Sequence, residues 1–86
     1  MQRQWVVSPD YRAAIEAISS AREKLGISQR ELARRLGKHP SFVNKIEQLE
    51  RRLDILEFLA IAEAMEIDPA HLLTTVRADL SDVLQI

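Results

Sequence analysis

From Tyr11 to Leu25 the apolar residues Tyr11, Ala14, Ile15, Ile18, Ala21 and Leu25 recur every three or four positions, with Arg22 set in the same stripe. That period puts them on one face of a helix. Ser8 and Pro9 open it as N-cap and first helical residue, Asp10 suits its first turn, and Gly26 supplies its stop. Ser28-Gln29-Arg30-Glu31 is a capping box, followed by Leu32, Ala33 and Leu36 and stopped by Gly37. Phe42, Val43, Ile46 and Leu49 mark a third helix over 39–49, with Pro40 in its first turn. Asp54 repeats the cap for a fourth helix, where Leu56, Leu59, Ala60, Ala62 and Met65 follow and Phe58 and Ile61 widen the apolar surface. Asp68-Pro69 opens a fifth that runs to about Thr75 and offers Leu72 and Leu73 to a core. In the tail, Leu80, Val83, Leu84 and Ile86 hold helical spacing and predict a sixth short helix. At the other end, Trp5, Val6 and Val7 form an apolar arm, a short strand or a segment packed on its own domain or on a partner.

The pattern predicts an all-α fold: an N-terminal arm over 1–7, a five-helix domain over 8–76 and a C-terminal helical tail over 77–86. Composition agrees. Eighty-six residues make one small domain, and 47% hydrophobic with 29% charged residues is a globular balance. There is no cysteine, so disulfides and Cys-ligated zinc are excluded and packing alone must hold the core. His39 and His71 lack ligand-like spacing, so neither a metal nor another cofactor is expected. No apolar run approaches the ~18 residues of a membrane span and no signal peptide is visible, so a cytoplasmic protein without a membrane partner is expected.

The stretch Gln29–Glu47 then stands out as two short helices joined by a glycine turn, the pattern of a helix-turn-helix, whose second helix enters the major groove of DNA. The net charge of −1 looks wrong for a polyanion binder, but the distribution does not. Residues 22–52 hold nine Lys and Arg against four Glu, net +5, while residues 53–86 hold one Arg against seven acids, net −6. A basic middle stands beside an acidic C-terminal third.

Within residues 21–73, the runs AREKLGISQRELARRLGK and PSFVNKIEQLERRLDILEFLAIAEAMEIDPAHLL carry a family likeness. The "GISQRELA" loop and helix, the "LG" turn, the V-x-K-I-E pattern and the A-x-A-M-E-I-D-P entry to the last helix are its most specific parts. The chain resembles the lambda-repressor-like helix-turn-helix family of the Cro/C1, or XRE, type of transcriptional regulators. The resemblance implies that family's compact five-helix fold. It also implies base contacts from Pro40, Ser41, Asn44 and Lys45 on the exposed face of the third helix. Asn44 suits adenine, Lys45 guanine, Ser41 is permissive, and Pro40 offers only apolar contact. Phosphate contacts are expected from Gln29, Lys38, His39, Arg51 and Arg52, while Arg22, Arg30 and Arg34 are weaker candidates that could simply be solvated. Glu47 is expected to be structural, pairing with a nearby Arg such as Arg34. The chain departs from the pattern at Pro40 and at Leu49, where the family usually carries glycine. Leucine resists a left-handed cap, so the third helix is expected to run a residue or two further and to displace Arg51 and Arg52.

The implied function is a sequence-specific regulator of double-stranded DNA, a dimeric repressor on a palindromic operator. Leu80, Val83, Leu84 and Ile86 are the candidate dimer contacts, with folding back of the tail as the competing arrangement. An antitoxin that binds a toxin protein and represses its own operon is the alternative, and a protein-binding module without DNA binding is a third class. Enzymatic function finds no support: the acids lie on helix caps and solvent faces, and no triad or metal-ligand set is present.

Overall fold

A computed structural model describes residues 8–86; the expected Trp5–Val7 arm lies outside them. Among the described residues there are five helices and no strand: α1 (Pro9–Lys24), α2 (Gln29–Arg35), α3 (Ser41–Glu47), α4 (Ile55–Ala64) and α5 (Pro69–Ala78). The starts follow the caps. Ser8, Ser28, Asp54 and Asp68 each accept a backbone N–H of the following turn. The Asp54–Glu57 box is complete in both directions. At Ser28 only half a box forms, because Glu31 turns its carboxylate to Arg34 and Arg35 instead.

The core gathers Ile15 and Ile18 from α1, Leu32 and Ala33 from α2, Val43 and Ile46 from α3, Ile61, Ala62 and Met65 around α4, and Leu72 and Val76 from α5. Ala33 has no exposed surface where α2 crosses α3, so a larger side chain there would push the two helices apart.

Three expectations of the pattern are corrected. On α4, Leu56 and Leu59 are exposed while Ile61, Ala62 and Met65 point inward. The helix is apolar almost all round, so its period alone did not choose a face. On α5, Leu72 is buried but Leu73 is 57% exposed. No sixth helix forms, because the chain leaves helical geometry after Ala78 and residues 79–86 turn back on α1. Ser81 and Gln85 donate their N–H groups to the two oxygens of Asp10, both at 2.8 Å, and Ser8 Oγ donates to the Gln85 carbonyl at 2.6 Å. A backbone whose amides bond a side chain 71 and 75 residues away does not close those amides into helical turns.

Candidate nucleic-acid interface

The interface begins with the turn between α2 and α3. Gly37 takes a φ of +68°, and Leu36 and Lys38 return their N–H groups to α2 carbonyls. α3 is shorter than the 39–49 expected, running from Ser41 to Glu47. Pro40 occupies its cap position without a side-chain bond, and the capping acceptor comes from His39, whose Nδ1 accepts the Ser41 N–H at 3.1 Å and lies 2.9 Å from Ser41 Oγ. With Nδ1 accepting, a neutral ring carries its proton on Nε2, the nitrogen left free to donate.

The end of α3 overturns a second expectation. Leu49 does adopt the left-handed conformation, with φ of +62°, and the helix does not extend past it. Its side chain is 6% exposed in the core. Burial of a leucine is worth about 1.5–3 kcal/mol, enough to offset the roughly 1–2 kcal/mol cost of the strained backbone. The Glu50 and Arg51 N–H groups then close on the Lys45 carbonyl.

Behind the exposed face of α3 runs a polar chain that starts on α1. Arg22 is 7% exposed, and its Nε and NH2 groups donate to Glu47 at 2.8 and 3.0 Å while its NH1 donates to the Ile27 carbonyl at 2.7 Å. Glu47 also accepts from Gln29 Nε2 at 2.7 Å, and Gln29 Oε1 accepts from Asn44 Nδ2 at 3.3 Å. Arg22 is therefore neither solvated nor open to a phosphate, and Glu47 pairs with Arg22 and Gln29 rather than with Arg34. The position of Arg22 inside an apolar stripe was the sequence signal for this. Arg34 bonds Glu31, and with Arg35 it draws that carboxyl from the usual 4.5 down to about 2.

Around the chain, Pro40 at the cap position and Lys45 on α3 are exposed, while Ser41 and Asn44 on α3 are half-buried. Lys38 and Arg51 both stack on Phe42, at 5.4 and 4.9 Å from its centroid. Arg51 is held further by Glu57, with donor–acceptor distances of 2.8 and 2.5 Å, and this pairing pushes the Glu57 carboxyl below its ordinary range. Arg52 stacks on Tyr11 at 5.1 Å, so the two adjacent arginines are anchored to different elements.

The comparisons with known proteins match this geometry. A helix-turn-helix family model covers residues 18–72. The chain belongs to the XRE-type helix-turn-helix family. An XRE-family-like protein from Pseudomonas syringae pv. tomato str. DC3000 is 43% identical, with a TM-score of 0.73 over 81% of this chain and 88% of that one. No curated protein matches the sequence. The XRE family is one of DNA-binding transcriptional regulators, not of enzymes, and its fold is the all-α fold seen here. Among the described residues, no helix is long and apolar enough to cross a membrane.

Proposed function

We propose that this XRE-family member is a sequence-specific repressor that binds double-stranded DNA as a dimer, with α3 in the major groove. The observation that carries the reading is the hydrogen-bonding face of α3, with Lys45 exposed and Ser41 and Asn44 half-buried, packed on α2 across the Gly37 turn. Asn44 and Lys45 read bases from that face, with Ser41 beside them and Pro40 limited to apolar contact. Lys38, His39 and the exposed part of Arg51 face phosphates, with Arg52 and the start of α2 at Gln29 flanking them. Half-sites related by two-fold symmetry follow from a symmetric dimer. In a mobility-shift assay on a sequence selected from a random pool, affinity should fall steeply as salt rises, because phosphate neutralisation releases counterions. A protein that enriches no sequence, or whose binding ignores salt, is not the regulator proposed.

For the dimer, the support is exposed apolar surface near the C-terminus: Val83 is 81% and Leu84 48% exposed, and Ile86 is fully exposed. Leu80 packs against the core and contributes less. Folding back and self-association are compatible, because the tail is tied down through its backbone while these side chains face out. Sedimentation of Val83→Asp/Ile86→Asp should show a monomer where the parent chain is dimeric. An unchanged dimer removes the tail from the interface.

The antitoxin reading draws on a different surface. Ile55, Leu59 and Leu73, from the acidic third of the chain, line an apolar groove of about 440 Å³ whose other wall is α1, with Asp54 at its edge. A basic toxin would suit that combination. Co-expression with a small basic protein encoded beside this chain, followed by co-purification, tests it.

A further inference from the structure

The polar chain from Arg22 to Asn44 fixes more than the packing of three helices. An amide side chain can present either its oxygen or its nitrogen in a given direction, and only its partners decide which. Here the decision starts at Glu47. An ionised carboxylate can only accept, and it already receives two N–H groups from Arg22. Gln29 must therefore turn its Nε2 toward Glu47, at 2.7 Å, which leaves Oε1 facing α3. That oxygen in turn requires a donor from Asn44, and Nδ2 stands 3.3 Å away. The reversed Asn44 amide would set carbonyl oxygen against carbonyl oxygen.

We propose that Glu47 and Gln29 are positioning residues that fix the amide orientation of Asn44 against DNA and thereby set its base preference. One Nδ2 hydrogen is spent on Gln29. The second hydrogen and Oδ1 remain as an adjacent donor and acceptor, the complement of adenine N7 and N6. Guanine at the same position would place its O6 acceptor against Oδ1. Guanine offers acceptors at both N7 and O6, so either orientation of the amide meets one repulsion there, and holding the amide in the orientation seen here favours adenine alone. The inference rests on the proposed DNA reading and adds to it that residues which contact no base determine which base is chosen.

The test is selection of bound sequences from a random DNA pool with the full chain and with Asn44→Ala, Gln29→Met and Glu47→Gln, each checked for folding by circular dichroism. Asn44→Ala identifies the base position that Asn44 reads. Gln29→Met keeps length and removes both amide groups. It should lower the adenine-over-guanine preference at that one position by about twofold or more, because a freed amide spends half its population in the orientation that adenine does not accept, with preferences elsewhere kept. Glu47→Gln, whose amide can face Gln29 either way, should relax the same position. In the free protein, the Asn44 Nδ2 protons should exchange with solvent several-fold faster in Gln29→Met than in the parent chain, a readout that needs no DNA. If Gln29→Met keeps the full preference at the Asn44 position, or loses affinity equally for all sequences, Gln29 is a phosphate or packing residue and the inference fails while the DNA reading stands. If the parent chain enriches no sequence, both fail together.

Discussion

Leu49 and Glu66 hold the same left-handed backbone, at φ of +62° and +60°, and make opposite predictions. Glu66 is exposed at the end of α4, where its side chain loses nothing by removal. Glu66→Gly should raise stability by about 0.5–1 kcal/mol, read from the midpoint of urea unfolding. Leu49 fills the core, so Leu49→Gly relieves the backbone but deletes a buried side chain. Loss of a buried leucine costs about 2–5 kcal/mol, so this variant should be less stable by about 1–3 kcal/mol after the relief is subtracted. A gain at Leu49 would mean that strain, not burial, dominates there. The same contest explains why the glycine-preferring position could be misread from sequence. Conformational preference is local, whereas the burial that overrides it comes from residues on other helices.

Arg22 and Glu47 join α1 to α3 with side chains only 9% and 13% exposed. Breaking such a pair from one side leaves a buried charge without its partner, at a cost of about 3–5 kcal/mol. Arg22→Met should lose about that much in a denaturant titration. Arg22→Met/Glu47→Leu should recover most of it, since a well-packed apolar pair can replace a buried ion pair. If the double variant is as unstable as the single one, the pair's hydrogen bonds to Gln29 and to Ile27 carry the stability instead. The capped helix starts need no such partner, and Asp54→Ala should cost about 1 kcal/mol by removing one cap. That local character is why the starts of α1, α2, α4 and α5 were legible from Ser8, Ser28, Asp54 and Asp68, while the inward face of α4 was not.

Across the molecule, acid should loosen the fold through three carboxyls. Two backbone N–H groups from Ser81 and Gln85 pull Asp10 below its usual 3.8, arginines draw Glu31 down to about 2, and Arg51 lowers Glu57. Each carboxyl is a stronger acid folded than unfolded, so its stabilising contribution is complete above its unfolded value. For Glu31 that contribution is lost as pH falls from about 4.5 toward 2, and for Asp10 and Glu57 it is lost as pH falls below their ordinary values. Thermal unfolding followed across that range should show a falling midpoint. Asp10→Asn should weaken the attachment of the tail, seen as faster hydrogen exchange at Ser81 and Gln85 with α3 unaffected. Exchange that stays slow at both amides would show that the tail is held by Leu80 packing rather than by Asp10.

The sequence by itself determined the starts of α1, α2, α4 and α5, the glycine stops at Gly26 and Gly37 and the separation of charge. These are set within one or two turns, by side chains that bond or crowd their own backbone. The tertiary structure alone decided the rest: that Arg22 is buried against Glu47, that Leu49 takes a glycine's conformation, which side of α4 faces inward, and that the tail returns to Asp10 instead of forming a helix. In each case the deciding contact joins residues distant in the chain, and no local period or cap encodes which distant group will be there to receive it.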